Sequence, residues 1–335
     1  MTEMPLPVFE TGRLKAIGAG IAILAALVVL PIIVGDYYHH ILVLSLWYGI
    51  IALGLGVLLG YAGQWSFAQL GFTAIAGLGM YWVNVQWAMP YWPSAIGIVA
   101  LTALIAAIMA IPAFRAERHY FALITFAYII LMHQFGLALP EVTGGGTGVR
   151  GFNNPPVLGF YSINTVWDYY LLGLVILTGL VLVVYRLRRS DLGRVFIAIR
   201  ENDKLAENIG INVYWYKILV FTMAAAFAAF GGILFTSYQN NMDPAFYHPV
   251  QSFLIVVMVV IGGVRDIEGW LSGVLIVFIL PELLRSGSTL RFVIFGMVLL
   301  VILFIEPRGL VAIVRRGIQR VKGENAETSN ESPQV

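Results

Sequence analysis

The chain has no cysteine. That excludes disulfides, thiolate metal sites and cysteine nucleophiles, and it leaves the compartment open, because the absence fits either side of a membrane. Charge is scarce as well: Asp, Glu, Lys and Arg make up 11% of the 335 residues, where an ordinary soluble domain carries about 25%. The dipeptide Gly-Lys never occurs, so there is no phosphate loop of the G-x-x-x-x-G-K-[ST] kind with which this chain itself would bind ATP. Neither H-E-x-x-H nor G-x-S-x-G is present, which removes two common hydrolase arrangements. His39, His40, His119, His133 and His248 are scattered, mostly near the ends of apolar runs; they read as interfacial side chains rather than metal ligands. Ionisable residues are almost missing from the centres of those runs, and Asp36, Asp168, Glu282 and Glu306 all sit near run ends. A carrier driven by protons or sodium keeps such groups at membrane depth. Transport by this chain, if that is its task, therefore draws its energy from elsewhere. An enzyme embedded in the membrane would need a nucleophile, base or metal cluster at one depth, and none is visible.

Apolar residues, by contrast, make up 59% of the chain, and the mean hydropathy is +0.85. Runs of about 20 apolar residues cross a bilayer as helices. Such runs predict ten spans, near 16–34, 41–60, 66–83, 94–112, 120–139, 166–185, 216–236, 250–264, 268–284 and 290–306. The first follows Arg13 and Lys15; it is long for a signal-peptide core and no small-x-small cleavage site follows, so it reads as a retained span. Glycine and polar residues interrupt the third, eighth and ninth, and 66–83 reads either as a crossing or as a broken, re-entrant piece. The fold class expected is an all-α polytopic membrane protein of about ten transmembrane helices, with eight or nine crossings plus re-entrant pieces as the alternative.

Lys and Arg favour cytoplasmic loops. With the N-terminus inside, every basic residue falls inside except Arg150, Arg285 and Arg291. The arrangement is therefore N-in and C-in. Residues 1–15 form a cytoplasmic N-terminus, 16–306 the membrane domain, and 307–335 a cytoplasmic tail whose polar end, from 321, has the composition of a disordered segment. Two loops stand out. Residues 140–165 form an outside loop rich in Gly, Asn and Pro, with Gly144, Gly145 and Gly148 in "TGGGTGVRGF"; this reads as a flexible loop or gate and lacks the lysine of a phosphate loop. Residues 186–215 form a charged inside loop. Within it, Leu205, Ala206 and Ile209 are expected to share one face of a short helix. Arg200, Glu201, Lys204 and Glu207 take the others, with Glu201–Lys204 and Lys204–Glu207 as i,i+3 pairs. Gly210 is placed to end that helix, since glycine enters the left-handed region freely.

Small residues at helical spacing, Gly56 and Gly60, Gly71 and Gly79, and Ala224, Ala228 and Gly232, predict close helix packing. In "GYAGQWSFAQLGF", residues 60–72, Gly60 and Gly63 permit a break in a helix. Gln64, Ser66 and Gln69 supply polar groups there, either to satisfy the freed backbone or to meet a polar solute in a translocation path.

The stretch "AIRENDKLAENIGINVYWYK" resembles the cytoplasmic loop of branched-chain amino acid ABC importer permeases of the LivM type, a relative of the E-A-A-x-x-x-G loop. Leu205, Ala206 and Gly210 hold the A-A-x-x-x-G frame, and Lys204 stands where the leading glutamate is expected. "GYAGQWSFAQLGF" is similar to that family's G-Y-x-G-Q-x-S motif, although Ala68-Gln69 departs from the Gly-His or Gly-containing pairs of many members. "VVIGGVRDIEGWLSGVL", residues 259–275, is similar to its glycine-spaced segment, with Arg265 where a glycine is frequent. "EPRGLVAIVRR", residues 306–316, resembles its P-R-G-L signature, and "TGGGTGVRGF" its outside T-G-G-x-x-G segment. The resemblance spans about 40 to 316. It implies a type II importer fold of ten helices in the bacterial inner membrane, with the coupling loop between the sixth and seventh spans. It implies as partners a second, LivH-like permease, two cytosolic ATPases and a periplasmic solute-binding protein, and no nucleic acid. No cofactor is implied on this chain itself; ATP and magnesium belong to the ATPases. The cargo implied is a branched-chain amino acid, while relatives carry other amino acids, urea, small amides or aromatic acids.

Overall fold

The computed structural model describes residues 36–116, 118–157, 161–283 and 296–297. The expected first span, nearly all of the tenth, the P-R-G-L segment and the tail lie outside the described residues. Helix α1, Asp36–Gly56, continues into a π-helical turn at Val57–Tyr61, and α2, Gln69–Met80, into a second at Tyr81–Gln86. Then follow α3 (Tyr91–Ala113), α4 (Arg118–Ala138), α5 (Val166–Arg189), α6 (Asp191–Glu201), α7 (Asp203–Asn208), α8 (Val213–Gln239), α9 (Pro249–Gly262) and α10 (Ile267–Leu283). Short strands β1 (Val149–Arg150) and β4 (Asn241–Met242) pair antiparallel, as do β2 (Pro156–Val157) and β3 (Tyr161–Ser162).

Each expected span between 41 and 284 coincides with a helix. Among the described residues, five helices are long and apolar enough to cross a membrane: Tyr38–Tyr61, Tyr91–Ala113, Tyr120–Ala138, Val166–Arg189 and Val213–Gln239. The helices α9 and α10 are apolar but shorter. The expected third span is a helix of 12 residues extended by the π turn rather than one regular helix.

Helices α1 and α8 are apolar on all sides and mostly buried, as a helix without a polar face must be when it sits inside a bundle. Helix α8 packs on α1, α2 and α3. A Cβ on Gly232 would overlap Thr73, whose Oγ1 donates to the Ala228 carbonyl at 3.1 Å. Helices α3, α4 and α5 turn Leu104, Leu131 and Val175 outward, the apolar surface that a lipid-facing helix presents. Gly56 meets the Trp270 indole, and Gly60 meets the Val264 carbonyl together with that indole. The ring lies in the groove between them and donates from Nε1 to the Val264 carbonyl at 2.9 Å.

The connections gather at two opposite ends. At one end, Tyr214 Oη donates to the Ile111 carbonyl (2.8 Å), Arg200 reaches the Gly60 carbonyl, and Arg188 stands 3.9 Å from Asp266. At the other, β1 pairs with β4, Asn153 Nδ2 donates to Asn84 Oδ1 (3.0 Å), and Trp92 Nε1 donates to the Pro156 carbonyl (2.7 Å). Among the described residues, every Lys and Arg except Arg150 belongs to the first end.

Candidate functional site

The charged loop is two helices, not one. Ser190 caps α6 by accepting from the Gly193 amide, and Asn202 caps α7 by accepting from the Leu205 amide at 3.1 Å. Between them the Asn202 backbone is extended, with φ −160° and ψ 109°. That break separates Glu201 from Lys204, so their expected i,i+3 pair does not form. Glu201 instead accepts from Arg200 at 2.6 Å. The hydrogen bond and the charge of Arg200 hold the exposed Glu201 carboxyl below the usual carboxylate range. The pair is therefore complete at neutral pH and is lost only as pH falls through that lowered value. Lys204 and Glu207 are exposed and form no ion pair among the described residues. Gly210 ends the segment with φ +88°.

The expected shared face divides. Leu205 on α7 and Ile209, the residue that caps its C-terminal end, are 60% and 70% exposed. Ala206 turns the other way and is buried with Ile199 and Val213 in a small apolar cluster. It anchors the loop to its own chain and is not available to a partner. Lys217 Nζ donates to Asp203 Oδ2 at 2.6 Å, with both side chains largely covered, and so ties α7 to α8. Sequence reasoning missed this pair; the signal was an acid at the first position of a capped helix and a lysine 14 residues on.

Arg200 joins two regions that the sequence treats separately. Its Nη1 donates to the Gly60 carbonyl at 2.5 Å. Helix α1 widens into its π turn and stops after Ala62, where Gly63 takes φ +67°. The Gly63 amide bonds the Leu59 carbonyl and the Gln64 amide bonds the Leu58 carbonyl. The Gly60 carbonyl is thus passed over by the amides that follow it, and a guanidinium fills its place. Residues 63–68 are non-helical. There Gln64 is buried and donates from Nε2 to the Ala62 carbonyl (3.0 Å), while Ser66 Oγ accepts from the Ala68 amide (3.2 Å). Both side chains satisfy freed backbone, which is one of the two uses expected of them.

Gln69 differs. It is 1% exposed, and neither amide atom has a hydrogen-bond partner. An unpaired buried amide costs about 1–3 kcal/mol. A Gln69→Leu variant is therefore expected to melt at or above the parent temperature. If uptake nevertheless falls, the amide is used in another conformation or by the solute; a lower melting temperature would mean that it is already satisfied.

The glycine run of the outer loop takes defined turns. Residues 140–143 form a helical turn and 145–147 a 3₁₀ turn, followed by β1. Thr143 Oγ1 donates to the Gly136 carbonyl (2.6 Å) and accepts from the Gly145 amide (3.2 Å). A Cβ on Gly148 would overlap the Met242 carbonyl, and a Cβ on Gly144 would overlap the Gly148 carbonyl, so close backbone approach explains these glycines. The charged loop and the helix break meet at one end of the bundle; the outer loop lies at the other.

These features define a polytopic α-helical membrane protein with no metal-binding cluster among the described residues. The family described as "Branched-chain amino acid transport system / permease component" matches residues 37–305, and the chain belongs to that family. It is a transport permease and not a member of an enzyme family. It is 25% identical to the high-affinity branched-chain amino acid transport system permease protein LivM of Escherichia coli, over 96% of this chain and 82% of the relative. It is 25% identical to the probable branched-chain amino acid transport permease protein LivM of Methanocaldococcus jannaschii, over 79% and 91%. It is also 24% identical to LivH of Escherichia coli, over 79% and 91%. No solved structure matches it significantly.

Proposed function

We propose that this chain is one of two related membrane subunits of an ATP-driven importer that carries branched-chain amino acids across a bacterial inner membrane. The likeness to both LivM and LivH supports a pair of homologous permeases. The membrane domain runs from 16 to 306 in ten crossings, with both termini in the cytoplasm, as the distribution of Lys and Arg supports. Two cytosolic ATPases, carrying the ATP and magnesium, dock on the end that holds α6 and α7. A periplasmic binding protein delivers solute to the end that holds residues 140–165.

The single observation that carries this reading is the exposed pair Leu205, on α7, and Ile209, at its C-cap, in a segment pinned to the bundle by Ala206, Lys217 and Arg200. Two large apolar side chains on an otherwise charged surface fit an apolar groove on a partner. ATP binding draws the ATPases together, α7 moves with its groove, and Arg200 conveys the movement to the helix break at 60–68. The double variant Leu205→Asp, Ile209→Asp is expected to lose the ATPase during co-purification while the bundle keeps its melting temperature. Retention of the ATPase at the parent ratio would sink the assignment.

A further inference from the structure

At the outer end, a cavity of about 510 Å³ opens between the π turn of α2 and the glycine loop. Its walls include Tyr81, Trp82, Val142 and Val149, and it also holds Glu141 and Arg150. That volume is in the range of small-molecule sites. The walls are held in place: Trp82 Nε1 donates to the Val142 carbonyl at 3.1 Å, and Tyr81 Oη accepts from Gln86 at 2.6 Å.

The two charges are also on fixed supports. Glu141 follows Pro140 in the turn anchored by Thr143. Arg150 lies in β1 opposite Asn241, and the next two amides, of Gly151 and Phe152, both donate to Asn240 Oδ1. Two other acids at this end, Asp168 and Asp243, are committed within the chain. Asp168 accepts from the Thr165 amide in a capping box, and Asp243 accepts from Asn241 and from the Ala245 amide. Glu141 and Arg150 form no ion pair or side-chain hydrogen bond among the described residues, not even with each other. One uncommitted carboxylate, one uncommitted guanidinium and an apolar wall therefore share a single cavity.

We infer that this cavity is an outer binding site for a zwitterionic α-amino acid. Arg150 takes the α-carboxylate, since a guanidinium matches its two oxygens. Glu141 takes the α-ammonium, and Val142, Val149 and the aromatic rings receive an apolar side chain. The chemistry recognises both charged ends of one molecule, so a ligand lacking either end loses one contact. The inference rests on the importer reading for its biological sense.

The test uses the full chain in lipid nanodiscs and three probes: L-leucine, 4-methylpentanoate, which lacks the amine, and 3-methylbutylamine, which lacks the carboxylate. Leucine is expected to bind saturably and each analogue at least tenfold more weakly. Glu141→Gln should weaken leucine tenfold or more and leave 4-methylpentanoate unchanged. Arg150→Gln should weaken leucine and leave the amine unchanged. Absence of saturable leucine binding, or equal losses for all three probes in both variants, would overturn the site. In the assembled transporter the same variants should raise the KM for leucine uptake with ATPase association intact. Normal KM in an assembled, active importer refutes the site alone. A chain that binds leucine but never associates with an ATPase refutes the importer reading alone.

Discussion

Replacing Arg200 with leucine is expected to leave the transporter assembled and its ATPase turning over, while solute uptake falls at least tenfold. The expectation follows from where the guanidinium goes. It is largely covered, and its Nη1 donates to the Gly60 carbonyl across the gap between the coupling loop and the end of α1. The π turn leaves that carbonyl without an amide from its own helix. A hydrogen bond from a charged donor contributes about 1.5–3 kcal/mol, and removal strands the acceptor as well. Leu205 and Ile209, the proposed docking residues, are untouched; what is lost is the contact through which the proposed motion of the loop would reach the helix break. Arg200→Lys should fall between the two, because an ammonium keeps the charge but not the planar fork. Parent-level uptake by Arg200→Leu would show that the contact conveys nothing.

The largest effect on folding is expected at Gly262. Helices α9 and α10 form an antiparallel pair joined by residues 263–266, with Gly262 set against Gly269 and Met258 against Gly273. A Cβ on Gly262 would overlap the Gly269 carbonyl, and one on Gly273 the Met258 carbonyl. These obstacles are backbone, so no rotamer change relieves them. Small residues at this spacing are what lets helices approach closely in lipid, where packing replaces the hydrophobic effect between them. Gly262→Val should cost roughly 3 kcal/mol or more and sharply reduce the monodisperse protein recovered in detergent. Gly97→Ala is the control. Nothing lies within 4 Å of a Cβ there, and the position is exposed in α3. It should be neutral or stabilise by about 0.5–1 kcal/mol. Equal recovery of Gly262→Val and Gly97→Ala would contradict the packing argument.

Much of this was legible in the residues themselves. Apolar run length placed the helices between 41 and 284 because in lipid each backbone must satisfy itself locally. Local chemistry also predicted the end of the coupling segment at Gly210. The division of α6 from α7 was not foreseen, although Asn202 is a strong cap; a run of charged, helix-favouring residues concealed it. The inward turn of Ala206 was missed because composition does not say which side of a short helix meets its own bundle. Arg200–Gly60 and Lys217–Asp203 depend on contacts 140 and 14 residues apart, which no periodicity encodes. The order of the outer loop escaped notice for a related reason. Gly148 allows close approach to the Met242 carbonyl, a neighbour remote in sequence.

In the proposed mechanism ATP-derived motion enters this chain through Leu205 and Ile209. Because the chain has no cysteine, a single Ile209→Cys variant carries one thiol, which a photoactivatable maleimide labels uniquely. Illumination of the assembled transporter is predicted to join this chain covalently to its ATPase subunit. The same reagent on Gly146→Cys, in the outer loop, should yield no such product. An ATPase adduct absent from the Ile209 site, or equally abundant from the Gly146 site, would contradict the account.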